Sequence, residues 1–441
     1  MTRESWGTRF GFIMATAGSA VGLGNIWRFP YTTGEEGGGA FLLIYLLFIM
    51  VFGLAVVMAE LVVGRMTQRN PVGAFKRLGG GQWPLVGMMG VVAGFVILSF
   101  YIVVAGWTLA YVFLMAHGSL ADASPANLEQ VFGEFISNPI EPVLYAGIFM
   151  GLCALVVAHG IGSGIERASK IFMPILFLIL IVLVVRSITL PGAEEGIRFF
   201  LIPDWDKVST NTFTAAIGQA FFSLSLGMGA LITYGSYMPK DHNLPADASM
   251  VVVLDTSVAI LAGFAILPAV FAAGLSPGAG PGLTFITLPA VFAAIPGGQF
   301  FGILFFILLA IAALTSAVSL LEVVVAYFVD EHKMSRRKAT IMVSLICFGL
   351  GIPSSLSLGV WDAKFMDKGF MDWMEYLSVN LMLPVGALFT ALFVGWRLGP
   401  KAIKAITNEG TLPVPATGLW LFILRYLAPL GILWILISSL N

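Results

Sequence analysis

Charge is what this chain has least of. Lys and Arg number 23 and Asp and Glu 24 among 441 residues, 11% of the total, where a water-soluble globular protein carries about 25%. With 58% hydrophobic residues and a mean hydropathy of +0.94, a solvated surface around one apolar core is excluded. The net charge is −1 and no long basic stretch exists, so nucleic acid is not expected as a partner. Cysteine is nearly absent as well. Cys153 and Cys347 both fall inside apolar runs, which argues against a disulfide framework and a thiolate metal site. His117, His159, His242 and His332 lack ligand spacing, and no nucleophile–base pair stands out, so no enzymatic chemistry is expected. Short alternating strands are also missing, as Phe301 to Ala313 illustrates, which excludes a membrane barrel.

What the chain does have is long apolar runs. Segments of about 18 or more residues lie near 10–34, 39–64, 84–116, 141–158, 166–187, 211–237, 245–273, 299–329, 338–352, 370–396 and 418–440. They predict an all-α integral membrane protein of eleven transmembrane helices in a single domain, 1–441. Charges of both signs and no small-residue cleavage site open the first run, which therefore reads as a retained helix. With the N-terminus inside, sixteen Lys and Arg fall in cytoplasmic segments and five outside. The positive-inside rule thus predicts a cytoplasmic N-terminus and, with an odd helix count, Asn441 outside.

Two runs are interrupted by a Gly-x-Gly, in GSAVGLGN (18–25) and SLSLGMGA (223–230). Close helix packing is one reading, since Gly18 and Gly22 form a GxxxG. Paired interruptions in corresponding halves point instead to a transporter site near the bilayer midplane, a rule drawn in part from the fold named below. Arg28, Glu60, Asp255, Glu322 and Glu375 lie at membrane depth, each costing about 2.5 kcal/mol or more if it faced lipid. Glu60 and Glu322 are expected to cap a broken helix or pair internally; Arg28, Asp255 and Glu375 are expected to be functional. Thr315 and Ser316 interrupt AIAALTSAVSLL (310–321), where hydroxyls either bond back to the preceding turn or face an ion.

GSAVGLGNIWRFP (18–30), GGGAF (37–41), FFSLSLGMGALITYGSY (221–237) and ALTSAVSLLE (313–322) resemble, in order and spacing, the core motifs of the neurotransmitter:sodium symporter family. The resemblance is to its bacterial branch, which carries multiple hydrophobic amino acids. It implies the LeuT fold: two inverted five-helix repeats, 9–187 and 211–397, discontinuous first and sixth helices, and a helix at 418–440 outside the repeat. It also implies a bacterial plasma membrane location and a central substrate site flanked by two sodium sites.

Carried over residue by residue, the first sodium would be held by the Ala20 carbonyl, Asn25, Ser223 and Asp255. The second would lie between the carbonyls of Gly18, Val21 and Ala312 and the hydroxyls of Thr315 and Ser316. All-oxygen shells suit a hard cation. Asp255 stands where many animal relatives have Asn and need chloride, and four residues on is Ala259. A fixed carboxylate would replace that anion, so no chloride is expected. Gly22 stands where monoamine carriers have Asp, which leaves room for a substrate carboxylate on Leu23, Gly24 and Tyr101. The amine would face carbonyls near Ala20 and Phe222 and the Ser225 hydroxyl. Ser19, Ile97, Phe222, Met228 and Leu320 would line the side-chain pocket.

Outside, Tyr101 and Phe222 would form a lid with Arg28 and Glu375 paired above it, assisted by Gln219. Inside, Arg3 and Trp6 would lock against Asp330 near Tyr237. Gly164 and, ten residues on, Pro174 match relatives in which the fifth helix unwinds. The expected function is sodium-coupled, chloride-independent import of hydrophobic or aromatic L-amino acids. The alternatives are a small solute such as taurine or γ-aminobutyrate, or a non-cycling sensor or channel on the same scaffold.

Overall fold

The computed structural model describes residues 4–120, 125–277, 283–361 and 364–440. The first apolar run is two helices, α1 (Arg9–Ala20) and α2 (Gly24–Glu35), bent by 54° at their junction. There follow α3 (Gly39–Thr67), α4 (Pro84–Ala116), α5 (Glu141–Ala158) and α6 (Ile161–Ile188). The sixth run splits into α7 (Thr210–Ser223) and α8 (Ala230–Gly235). The chain continues through α9 (Leu244–Ala272), α10 (Gly298–His332), α11 (Arg336–Leu356), α12 (Phe370–Leu398) and α13 (Thr417–Ser438).

Among the described residues nine helices are long and apolar enough to span a membrane, or ten if α1 and α2 are one bent span. The eleventh expected span, α7 with α8, is interrupted over 224–229, and neither half is long enough by itself. The helix starts follow from local capping. The Thr8 hydroxyl accepts from Gly11 N–H at 3.0 Å, Asn243 caps α9 through Ala246 N–H at 3.1 Å, and Ser209 and Thr212 close a reciprocal box on α7.

Burial sorts the helices into inner and outer. About two thirds of the central stretch of α4 and α10 is buried (67% and 61%), against 33% for α5 and α6 and 28% for α13. The outer helices expose Leu155, Leu178, Leu430 and Ile437, as a lipid-facing surface requires. The broken pairs α1–α2 and α7–α8 are enclosed by this bundle, and their interruptions face each other at its middle.

Candidate functional site

Helix α1 stops because Val21 turns extended, with ψ 109°, and α2 resumes at Gly24 in a π-helical turn. In the second break Ser225, Gly227 and Gly229 have φ of +55°, +83° and +74°, so the chain leaves helical geometry at alternate residues. Other helices supply what the freed backbone needs. Gly227 N–H donates to Glu60 Oε1 at 2.7 Å, and Leu23 N–H reaches the Tyr101 hydroxyl at 3.4 Å. The breaks are tied together at one atom: the Ser19 carbonyl accepts from Ser225 Oγ at 3.0 Å and from Ser316 Oγ on α10 at 3.2 Å. Gly22 must be glycine here. A Cβ at that position would lie 2.5 Å from Ser316 Oγ and 3.3 Å from the Tyr101 hydroxyl oxygen.

Beside the breaks lies a cluster of oxygen-bearing side chains. Asn25 Nδ2 donates to Ser223 Oγ at 2.9 Å and to Asp255 Oδ1 at 2.8 Å, and Ser223 Oγ donates to Asp255 Oδ2 at 2.7 Å. Asp255 is fully buried, and among the described residues no cationic side chain pairs with it. A buried carboxylate served by neutral donors alone is costly unless a cation balances it. Ala20 is the buried last residue of α1. Tyr45, fully buried on α3, lies against Ser223 and Asp255 and was not singled out from the sequence.

A second oxygen cluster joins α1 to α10. Thr315 Oγ1 bonds to the Ala312 carbonyl at 3.0 Å, and Ser316 Oγ to the Val21 carbonyl at 3.1 Å. Gly18 packs on Thr315, since a Cβ there would meet Thr315 Cβ at 3.2 Å. The five residues expected around one ion, Gly18, Val21, Ala312, Thr315 and Ser316, are thus brought together.

Between the clusters, Ile97, Met228 and Leu320 are buried and apolar, and Phe222 is half-buried. The Ser19 hydroxyl is buried there with no hydrogen-bond partner. Ser225, expected to face an amine, donates to Ser19 instead.

The expected outer ion pair is absent among the described residues, and the expected inner lock is described only in part. No ion pair joins Arg28 to Glu375 among the described residues; the Arg28 guanidinium carbon lies 4.8 Å over the Phe222 ring. Stacking on a partly desolvated ring competes for the guanidinium with Glu375, which lies within its electrostatic reach. A Cβ on Gly24 would come within 2.7 Å of the Phe222 ring, and Gln219 Nε2 donates to the Gly24 carbonyl at 3.0 Å, so Phe222 and Gln219 do close over the first break.

On the opposite side Arg3 lies outside the described residues. Asp330 accepts from Asn70 N–H at 2.9 Å and so anchors the short helix Pro71–Leu78. Trp6 is the plug: its Nε1 donates to the Tyr234 carbonyl at 3.0 Å and its ring packs edge-on against Phe12, Tyr234 and Tyr237. Arg336 Nη1 pairs with Glu322 Oε2 at 2.6 Å, and Tyr237 donates to Glu322 Oε1 at 2.6 Å. Glu4 receives Arg336 Nε at 3.2 Å and Ile161 N–H at 2.6 Å, which staples the N-terminal segment to α6. Glu4 and Arg336 carry no motif and sit among ordinary loop charges, so sequence reasoning missed them. Glu60 and Glu322 hold the structural roles expected of them. The α6 helix is wound through Gly164 and Pro174, not opened there.

The family model described as the sodium:neurotransmitter symporter family matches residues 3–129 and 141–441. A protein of Bacillus subtilis named as an uncharacterized sodium-dependent transporter, YhdH, is 41% identical over 439 residues, covering 99% of this chain and 97% of that one. Another so named, from Haemophilus influenzae, is 38% identical over 451 residues, covering 99% and 98%. Among solved structures, MhsT in complex with L-phenylalanine superposes with a TM-score of 0.91 at 49% identity, covering 99% of this chain and 100% of that one. Broken helices facing each other, oxygen clusters beside them and relatives matched end to end lead to one assignment: the chain belongs to the sodium:neurotransmitter symporter family of membrane transporters, and is not an enzyme.

Proposed function

We propose that this protein is a sodium-coupled, chloride-independent symporter that imports hydrophobic or aromatic L-amino acids by alternating access. The observation that carries the proposal is the Asp255 carboxylate, fully buried beside the two helix breaks and, among the described residues, hydrogen-bonded to the neutral Asn25 and Ser223 side chains. A sodium ion there balances the charge without help from an anion. The second sodium lies among Gly18, Val21, Ala312, Thr315 and Ser316. The substrate carboxylate meets the N-terminal end of α2, whose dipole favours an anion, together with Tyr101. Ile97, Phe222, Met228 and Leu320 take the side chain, and the flexible Met228 thioether makes way for a ring. The L-phenylalanine bound to MhsT supports this substrate class.

In this reading 9–187 and 211–397 are the inverted repeats of an eleven-span transporter, with 418–440 outside them. The N-terminus lies in the cytoplasm and Asn441 outside, in a bacterial plasma membrane. The test is counterflow of labelled L-phenylalanine into proteoliposomes holding the purified chain. Exchange should require sodium and persist when gluconate replaces chloride. Exchange without sodium, collapse in gluconate, or inhibition by glycine and charged amino acids alone overturns the reading.

A further inference from the structure

At the end of the bundle that carries Trp6, two cavities are lined by successive parts of the same elements. The first, about 430 Å³, is a largely apolar crevice with Leu54 and Met58 of α3, Ala246 and Ser249 of α9, Val414 and Trp420 among its lining. The second, about 630 Å³, is lined by Arg65, Lys240, Lys401 and Lys404, with Asp241 and Glu409. Each wall continues from one cavity into the other. Helix α3 gives residues 54–58 to the crevice and Arg65 and Met66 to the basic cavity, and the short helix Pro400–Ile406 gives Ile406 to the first and Lys401 and Lys404 to the second. At 1.5 Å per residue, Met58 and Arg65 lie about 10 Å apart along α3.

Charge in the second cavity is unbalanced by two, four cations against two acids. Arg65 is buried, its guanidinium donates to the carbonyls of His242, at 2.8 Å, and Ala405, and the Asp247 carboxylate within electrostatic reach is itself paired with Arg9. Lys240, Lys401 and Lys404 are exposed, and among the described residues none of them makes an ion pair. The wall is not a loose loop. Asn408 Nδ2 bonds to the carbonyls of Asp241 and His242 at 3.3 Å, pinning the end of one helical segment to the start of another. A basic cavity open to water therefore adjoins an apolar crevice on the side of a membrane bundle. Matching both requires one molecule that is anionic at one end and hydrocarbon about 10 Å away.

We propose that the paired cavities are a binding site for one anionic phospholipid, its phosphate among Lys240, Lys401 and Lys404 and an acyl chain in the crevice between α3, α9 and α13. Arg65 supplies fixed positive potential, and the lysines reach the phosphate from the membrane surface on their flexible stems. The lipid would fill the crevice along α3, α9 and the segment leading into α13, beside the point where Trp420 Nε1 donates to the Ala55 carbonyl at 3.0 Å.

The test is native mass spectrometry of the full chain released from detergent micelles, with dioleoyl phosphatidylglycerol, dioleoyl phosphatidylcholine or glycerol 1-phosphate added. One phosphatidylglycerol should be retained with a preference of about tenfold or more over phosphatidylcholine. The triple substitution Lys240→Gln, Lys401→Gln, Lys404→Gln should abolish that preference while leaving the melting temperature in lipid-free detergent unchanged. Ser249→Trp, which fills the crevice, should lower retention of both lipids. If the triple variant does not fold, Lys401→Gln with Lys404→Gln asks the same question. Equal retention of the two lipids, or an unchanged preference in the lysine variants, overturns the proposal. Displacement of phosphatidylglycerol by an equal concentration of glycerol 1-phosphate overturns it too, in favour of a soluble anion. None of these outcomes bears on sodium-coupled transport, which rests on other residues.

Discussion

Asp255→Asn preserves the size of the side chain, can still accept from Asn25 while the Ser223 hydroxyl turns from donor to acceptor, and removes the charge that a cation would balance. In chloride-free medium its initial rate of labelled phenylalanine uptake should fall by at least about tenfold, and chloride should restore part of it. Gly22→Ala tests the geometry of the first break. Its Cβ would lie 2.5 Å from Ser316 Oγ, so overpacking should cost about 1–3 kcal/mol of stability and weaken substrate binding, read by thermal unfolding and equilibrium binding. Unchanged binding would mean that Ser316 and Tyr101 do not border the substrate. Asp255 was legible in the sequence because a carboxylate in an apolar run needs a reason, whereas Asn25 and Ser223 came only through the motifs GSAVGLGN and FFSLSLGMGA that resemble the family's. Tyr45 was not, since a tyrosine within GAFLLIYLLF reads as packing. The position of Arg28 was legible but its partner was not: whether a guanidinium meets Glu375 or Phe222 depends on how far the outer side has closed, which spacing along the chain does not encode.

Helix boundaries were readable wherever charge, proline or glycine ended an apolar run. The runs 84–116 and 141–158 are helices Pro84–Ala116 and Glu141–Ala158. The sixth run reads as a single segment with a weak point, and the structure turns that weak point into six residues of non-helical chain. The resemblance implied that α6 can unwind around Gly164 and Pro174; the structure holds it wound, and Gly164 supplies a reason. A Cβ at Gly164 would collide with the Val156 carbonyl, so glycine lets the π-helical turn 161–166 pack directly on the end of α5. Gly164→Leu should therefore loosen this turn instead of stiffening it. Amide exchange over 157–167 should speed by about tenfold, with the rest of the bundle unchanged. Equal exchange would mean that the turn is already open in the membrane.

The whole molecule is shut on the side carrying Trp6, where aromatic packing and the Glu322–Arg336–Glu4 chain seal the N-terminal segment. In the cycle proposed above such a seal would open at each turn, driven by the coupled ions. Two sodium ions with a zwitterionic substrate gain about 4.6 kcal/mol in a 100 mV inside-negative potential, enough for accumulation of about 10³-fold. Uptake should therefore rise when a potassium diffusion potential is imposed with valinomycin, and a flat response would make the cycle electroneutral. At this scale composition alone was informative, because a chain with few charges can place them only at bundle ends or where they act. The convergence of Ser225 and Ser316 on the Ser19 carbonyl has a consequence for genetics. The acceptor that links both broken helices to α10 belongs to the main chain, so no codon change deletes it. A scan of single substitutions would register this junction faintly, through two serines that each cover for the other, and Ser225→Ala with Ser316→Ala together would expose it.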